Sequence, residues 1–153
     1  MSGRTCGRCT ACCTVLSVEE IGKLHGVPCH HVSRDGCSIY GSRPGACRGF
    51  ACLWLLGFGV ERHRPDRSGV LLEAQHSLLG ETVVVRELAP RSLQRDKGAH
   101  LMRELRRSGL GLYVKHHDGR VSIEGPQDFV NRGAEIAAEN GVGQDRLHLR
   151  VLD

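Results

Sequence analysis

The cysteines of this chain are confined to its first third, and residues 53–153 contain none; they are Cys6, Cys9, Cys12, Cys13, Cys29, Cys37, Cys47 and Cys52. The first four form the run C-G-R-C-T-A-C-C, in which three thiols recur at every third residue. One tight loop with this spacing can direct its thiols at a single inorganic core. The pattern therefore predicts a metal centre.

A disulfide framework is the alternative use of many cysteines, typical of small secreted chains that bury too little apolar surface. The first residues, M-S-G-R-T-C, lack an apolar stretch like the core of a secretory signal, which favours the cytoplasm, where thiols stay reduced. With 153 residues, 40% of them hydrophobic, the chain is long enough to fold around its own core. We therefore expect free thiols, although spacing alone does not exclude disulfides.

Composition argues against a membrane span and gives little support to a nucleic-acid partner. The longest apolar patch, at 51–60, is shorter than the roughly 18 residues that a spanning helix needs. The formal net charge is +4, and its basic residues are spread along the chain, whereas nucleic-acid binders usually concentrate them on one element. The expected partner is a metal ion or cluster.

The two halves of the chain differ in pattern. Residues 1–60 mix cysteine with Gly, Pro and His in short pieces, which predicts a loop-rich cysteine-cluster metal-binding region organised by its ligands. Residues 61–68 read as a basic linker. Within the first region, Ser17 and Glu20 have the spacing of a capping box, which predicts a helix that ends at Gly26 and turns Ile21 and Leu24 inward.

Residues 69–153 have conventional helix and strand patterns. Strands are predicted over 69–73, 82–88 and 147–152, helices over 92–108 and 126–140, and a hairpin around Asp118-Gly119. Leu101, Met102 and Leu105 should face the core from the first of these helices. The predicted fold class is α+β, in which the loop-rich half packs on a small antiparallel sheet and two helices to form one compact unit.

Adjacent Cys12 and Cys13 would point to opposite sides of an extended backbone, which predicts two destinations for the thiols. One arrangement is a [4Fe-4S] cluster bound by Cys6, Cys9 and one of the adjacent pair, with a fourth ligand from the later cysteines. The competing arrangement uses all eight thiolates in two four-cysteine zinc sites, with Zn–S distances of about 2.3 Å. Thiolates suit both metals, so the sequence does not choose between zinc and an iron–sulfur cluster.

Two blocks, C-G-R-C-T-A-C-C and G-C-S-I-Y-G-S-R-P-G-A-C-R-G-F-A-C-L-W at 36–54, resemble the CxxCxxCC family of zinc- or iron-chelating proteins, the YkgJ-like cysteine-cluster proteins. The resemblance covers about residues 6–60 and implies metal chelation by the cysteines, Cys29 being the least firmly matched. The same motif occurs in flagellin lysine methylases, where it looks like a module attached to other activities. The implied role is structural, redox or metal handling.

Other residues of the second block have physical interpretations of their own. Arg43 and Arg48 flank Cys47, and a cation there would offset the negative charge of thiolates around a metal; we favour Arg48 as the cofactor-binding arginine. Pro44 should fix the turn that presents Cys47. The aromatic residues of this region are expected to form an apolar cover over the centre; they are Tyr40, Phe50 and Trp54.

The histidines are not expected to be ligands. His30 and His31 follow Cys29 and could supply an imidazole, but eight cysteines already suffice for two centres. His63 lies in the basic linker and is expected to be solvated. Strand alternation should place His116 and His117 on opposite faces of the hairpin.

No catalytic constellation is recognisable, since the chain lacks a Ser/His/Asp set, a P-loop, paired carboxylates and a nucleotide fingerprint. An iron–sulfur-dependent enzyme, or an accessory protein to one, is the alternative to a metal-binding protein. A zinc-stabilised nucleic-acid binder ranks third, and its basic face would come from the 92–108 helix; the arginines concerned are Arg91, Arg95, Arg103, Arg106 and Arg107.

Overall fold

The computed structural model describes residues 2–153, and in it the strands of the second half form a five-stranded mixed sheet. The strands, in their order across the sheet, are β3 (Val70–Ser77), β4 (Gly80–Glu87), β5 (Gly111–Lys115), β6 (Val121–Gly125) and β7 (Leu147–Val151). A two-stranded antiparallel ribbon, β1 (Val32–Ser33) and β2 (Gly36–Cys37), lies in the cysteine-rich half. The predicted α+β class is confirmed, but the main sheet is mixed instead of antiparallel as predicted.

The helices of the described chain are short in the first half and longer in the second; they are α1 (Ala11–Val15), α2 (Gly45–Gly49), α3 (Pro65–Ser68), α4 (Asp96–Arg107) and α5 (Gln127–Glu139). Single 3-10 turns lie at Glu19–Ile21, Tyr40–Ser42, Glu61–His63, Ser92–Gln94 and Gln144–Arg146. None of the helices formed by residues 2–153 has the length and apolar character needed to cross a membrane.

Two of the four strand pairs in the large sheet are parallel, a feature that strand patterns do not reveal. β3 pairs antiparallel with β4, and β5 with β6, whereas α4 connects the parallel pair β4 and β5, and α5 connects the parallel pair β6 and β7. Since β4 and β6 run in opposite directions, crossovers of one hand place their helices on opposite faces of the sheet. The sheet is therefore covered on both sides.

Helix α4 covers the face that carries the main core. Its Leu101, Met102 and Leu105 are at most 2% exposed, as predicted, and they join Val85 and Leu112 of the sheet in one apolar cluster. On the other face, Gly133 of α5 lies so close to β6 that an added Cβ would be 2.7 Å from Ile123 Cγ2. A glycine lets this helix approach the sheet.

The cysteine-rich half attaches to the free edge of β3. The Leu53 amide donates a hydrogen bond to the Leu72 carbonyl at 2.8 Å, so the backbone next to Cys52 continues the sheet for one residue. Residues 61–68, predicted as a linker, form a 3-10 turn and α3, in which His63, Pro65 and Ser68 are buried. The expectation that His63 is solvated is wrong, because only 5% of the surface of this residue is exposed.

The helix predicted from Ser17 to Gly26 is also wrong. Only the 3-10 turn Glu19–Ile21 forms, and Gly22 ends it with a left-handed backbone at φ 62°. Val18 and Lys23 then pair across the turn, and Leu24, expected to face inward, is 69% exposed. The local capping pattern is overridden because Glu20 binds a different helix, as described below.

Candidate metal centre

The eight cysteines line two adjoining hollows in the first half of the protein. Seven of them surround the larger hollow, and Cys52 lies in the second, which shares Cys6, Cys9, Cys12 and Cys47 with the first. All eight are free thiols, and each is half-buried. The fold thus gathers cysteines that are up to 46 positions apart in the sequence.

The first four cysteines lie on a tight turn followed by helix α1. The Cys9 amide donates to the Cys6 carbonyl at 2.9 Å, which closes the first C-x2-C turn, and α1 begins at Ala11. Cys12 and Cys13 are therefore helical, and the premise of an extended backbone at this pair is wrong. Their side chains are hydrogen-bonded to each other instead of pointing to opposite sides.

The two thiols of this pair have pKa values shifted in opposite directions. The hydrogen bond to Cys13 raises the pKa of the Cys12 thiol, and burial raises it further. The same bond, helped by the positive charges of Lys23 and Arg43, lowers the pKa of Cys13 to about 7 against the opposing effect of burial. Cys13 is thus the thiol of this pair that becomes an anionic ligand more readily.

Cys29 and Cys37 are brought to the same hollow by contacts with the first loop. The Cys29 amide donates to the Cys13 carbonyl at 2.9 Å. Cys37 lies on the β1–β2 ribbon, where Gly36 has φ 116° and packs directly against the Gly7 carbonyl, with no room for a Cβ. Glycine at position 36 thus meets both a conformational and a steric requirement of this contact.

Cys47 lies on helix α2, and Glu20 holds the start of that helix. The Glu20 carboxylate accepts hydrogen bonds from the amides of Gly45 at 2.9 Å and Ala46 at 2.8 Å. Pro44 precedes the helix with an extended backbone, which agrees with its predicted role in the turn that presents Cys47. The capping residue predicted for one helix thus caps another.

Backbone amides point at two of the sulfurs. Cys9 accepts hydrogen bonds from the amides of Ala11 and Asp66, and Cys52 accepts them from Trp54 and Leu55. These bonds lower the pKa of each thiol, but burial is the larger effect and raises the pKa of both. Amide donors aimed at sulfur stabilise the thiolate form that binds metal and tune cluster potentials.

The mutual charge effects of the thiols divide them into two neighbourhoods. The pKa of Cys47 is raised by burial first and then by Cys13, Cys29 and Cys37. Burial likewise leads for Cys9 and Cys52, with smaller increases in pKa from Cys52 on Cys9 and from Cys6 on Cys52. The pKa of Cys12 is raised first by its neighbour Cys13 and, to a smaller extent, by the charges of Cys6 and Cys9. The first neighbourhood is Cys13, Cys29, Cys37 and Cys47; the second is Cys6, Cys9, Cys12 and Cys52.

Two cations line the larger hollow, and sequence reasoning missed one of them. Lys23 is 6% exposed, and its ammonium donates to the carbonyls of Thr14 and Leu24, each at 2.9 Å, and of Leu16. Three carbonyls satisfy this buried charge. No signal in the sequence marked it, because a lysine within a predicted surface helix is ordinarily solvated.

Arg43 is the other cation of the hollow. Its guanidinium lies 3.7 Å from the Tyr40 ring centroid. Its charge helps the Cys12 hydrogen bond to lower the pKa of Cys13, and it partly opposes the burial that raises the pKa of Cys47. Arg48, the favoured arginine in the sequence, is exposed and acts on Glu20, where it contributes to a lowered carboxyl pKa. A cofactor contact for Arg48 therefore stays a prediction.

Aromatic side chains border both hollows. Tyr40 and Phe50 line the larger hollow, and Phe50 and Trp54 line the second. The Tyr40 side chain is hydrogen-bonded to Cys6, and this bond is the first cause of the raised pKa of the tyrosine. Arg4 fastens the start of the chain over this region: its guanidinium donates to the carbonyls of Trp54, Phe58 and Gly59 at 2.7–2.9 Å.

The cysteine sulfurs lie in one region, but any three of them are spread more widely than the ligands around a single bound ion. Four thiolates around zinc would be about 3.8 Å apart, given Zn–S bonds of about 2.3 Å. In the described part of the chain, a single group of at least three possible ligand residues (Cys, His, Asp or Glu) has all its ligand atoms within 4.8 Å of one another. This group contains no cysteine. That group is His63, His100 and Glu104.

The other predicted site residues lie as follows. His30 is exposed, whereas His31 lines the larger hollow. His116 is hydrogen-bonded to Ser122 Oγ at 2.7 Å, and His117 is exposed. Of the arginines proposed as a basic face, Arg106 is instead paired with the buried Glu124 at 2.6 Å, which removes one charge from that face.

The comparisons with known proteins give the cysteine motif neither support nor contradiction. A scan of the chain against protein-family models, a search of curated proteins and a search of solved structures each found no match. The resemblance to the CxxCxxCC proteins therefore rests on the residues that carry it, in the two blocks between Cys6 and Trp54.

Proposed function

We propose that this protein binds a metal centre through its clustered cysteine thiolates and belongs with the CxxCxxCC, YkgJ-like proteins. The observation that carries the proposal is the gathering of eight free cysteines from separate segments around two adjoining hollows. Unrelated packing would not be expected to collect every cysteine of a chain in one place. Soft thiolates in this number suit zinc or an iron–sulfur cluster.

Two metal centres, each with four cysteine ligands, would account for the two neighbourhoods of thiols. One would be held by Cys6, Cys9, Cys12 and Cys52, and the other by Cys13, Cys29, Cys37 and Cys47. Support comes from the charge effects that each thiol exerts on the others. The adjacent cysteines then serve different centres, although their contact in the short helix requires the two centres to be neighbours.

The first group is the better candidate for an iron–sulfur cluster. It contains the C-x2-C-x2-C spacing that is shared with bacterial ferredoxins, and two of its sulfurs accept backbone amide hydrogen bonds. An iron–sulfur core also holds its thiolates farther apart than one ion does, which agrees with the wide spacing of the sulfurs. A cluster would supply electron transfer or redox sensing at this site.

The second group has the compensating charge. Lys23 and Arg43 lie beside it and lower the pKa of Cys13, so they would offset the negative charge of a four-thiolate centre. The lowered pKa of Cys13 favours the deprotonated state that metal binding requires. The role of this group is structural, since it joins α1, the β1–β2 ribbon and α2.

Anaerobic purification followed by analysis of iron, sulfide and zinc tests the proposal. An absorbance band at about 400 nm that dithionite bleaches, with iron and sulfide present, would establish a cluster. A colourless protein with about two zinc ions per chain would assign both groups to zinc. Protein that is folded and contains neither metal would refute the proposal.

Single cysteine variants test the division into groups. Cys9→Ser and Cys52→Ser should lose the centre of the first group and keep the second, while Cys29→Ser and Cys37→Ser should do the reverse. Ser38→Ala, an exposed change next to Cys37, is the matched control and should retain all metal. If every cysteine variant loses the same metal, the thiols belong to one centre and the division is wrong.

A further inference from the structure

His63, His100 and Glu104 form a second kind of candidate site, which contains no cysteine. Their ligand atoms lie within 4.8 Å of one another. His63 comes from the 3-10 turn Glu61–His63, and the other two residues are one turn apart on α4. The cluster therefore depends on the packing of the linker segment against the core helix.

The three side chains are close together but do not form hydrogen bonds with one another. His63 Nε2 lies 3.7 Å from Glu104 Oε2, and His100 Nδ1 lies 3.6 Å from Glu104 Oε1. Both separations exceed hydrogen-bond length. Within residues 2–153 neither imidazole nitrogen has a hydrogen-bond partner, although both atoms are buried. Buried polar atoms without partners are uncommon in folded proteins.

The His63 side chain is especially informative because it is only 4% exposed. Burial lowers its pKa, and this effect outweighs that of the Glu104 charge, which raises it. The Glu104 carboxylate faces a buried ring nitrogen that lies beyond hydrogen-bond distance from it.

We propose that His63 Nε2, His100 Nδ1 and the Glu104 carboxylate bind a divalent transition-metal ion such as Zn²⁺. Two imidazoles and one carboxylate are a ligand set found in zinc sites that keep a fourth position open. Ligands at about 2.0–2.1 Å from a tetrahedral ion lie about 3.4 Å apart. The two measured separations, each from a different oxygen of Glu104, are within a few tenths of an ångström of that distance.

The arrangement also leaves the fourth position reachable from solvent. The His100 and Glu104 side chains are 38% and 43% exposed, whereas His63 closes the inner side. One existing contact would be exchanged on binding: the Val60 amide lies 3.4 Å from His63 Nδ1, which places the ring proton on Nε2. Metal at Nε2 would move that proton to Nδ1, where it would face the Val60 amide hydrogen, so binding requires a small shift of the ring or of the Val60 amide.

Zinc titration of the full-length protein, with its cysteine centres as isolated, tests this site. Calorimetry should detect one additional Zn²⁺ per chain, and the side-chain NMR signals of His63 and His100 should shift with the same stoichiometry. His100→Gln and Glu104→Gln should each weaken this binding at least about tenfold, because even the outer partners of metal ligands affect affinity by about 10–100-fold.

His76→Gln is the matched control. His76 is paired with Glu81 at 3.0 Å on an exposed hairpin, without a third ligand, so this change should leave the additional binding intact. Circular dichroism and thermal melting of each variant show that it is folded, and the two ligand variants provide independent tests. The proposal is overturned if no additional Zn²⁺ binds, if either folded ligand variant keeps full affinity, or if zinc binds without shifting the two histidine signals.

Discussion

The Glu20 carboxylate accepts a hydrogen bond from the Ala46 amide at 2.8 Å, across 26 positions of sequence. With its second bond, to Gly45, it links the 3-10 turn Glu19–Ile21 to the first turn of α2, which carries Cys47. An ionised carboxylate at exposed helix amides makes charge-assisted hydrogen bonds, which are stronger than neutral ones. Glu20 thus positions Cys47, one of the proposed metal ligands.

Replacement of Glu20 by Gln should loosen Cys47. The amide side chain lacks the charge that favours the start of a helix, so metal should be removed by EDTA faster than from the unaltered protein at pH 7. Glu19→Gln, a change at the neighbouring exposed residue, is the control. Equal rates of metal loss from the two variants would argue against this role.

The Cys12–Cys13 pair predicts an unusual thiol titration in the reduced, metal-free protein. Because the pKa of Cys13 is lowered to about 7, half of this thiol is ionised near neutral pH, and the ionised fraction rises as pH increases. Alkylation of Cys13 by iodoacetamide, followed by peptide mass spectrometry, should therefore show a midpoint near pH 7. Cys12→Ala removes the donor to the thiolate and should move this midpoint upward; an unchanged midpoint would contradict the assignment.

Leu101 should be essential to the stability of the second half. It is fully buried between α4 and the sheet, so Leu101→Ala removes packed methyl groups and leaves a cavity, at a cost of about 2–5 kcal/mol in the free energy of unfolding. Arg103→Ala, on the exposed side of the same helix, should change that free energy by no more than about 0.5 kcal/mol. Urea denaturation followed by circular dichroism measures both, and comparable losses would show that the core lies elsewhere.

The ion pair between Arg106 and Glu124 ties α4 to β6. The Glu124 side chain is 4% exposed and accepts two hydrogen bonds from the guanidinium, at 2.6 and 3.0 Å. Arg106→Ala would strand a buried carboxylate and should cost about 3 kcal/mol, at the low end for broken buried pairs because the arginine is one-third exposed. Arg107→Ala, at an exposed neighbour, is the control in the same denaturation experiment. A small loss for Arg106→Ala would mean that water replaces the guanidinium.

Local patterns predicted the second half well, because its elements depend on near neighbours. The Asp118-Gly119 turn joins β5 to β6, and α5 runs between Pro126 and Asn140 as its boundary residues indicate. The parallel pairing of β4 with β5 was not predictable from those patterns. Strand direction depends on how α4 packs back on the sheet, which is a long-range matter.

For the site, the sequence alone determined which chemical groups are available: cysteines at C-x2-C spacing, with arginine and aromatic residues among them. The tertiary structure decided which groups become neighbours. It turned Glu20 from a local cap into a cap for α2, buried Lys23 beside Cys13, and brought His63 to His100 and Glu104. The physical reason is that ligand type is a property of each residue, whereas burial and proximity arise only when distant segments pack together.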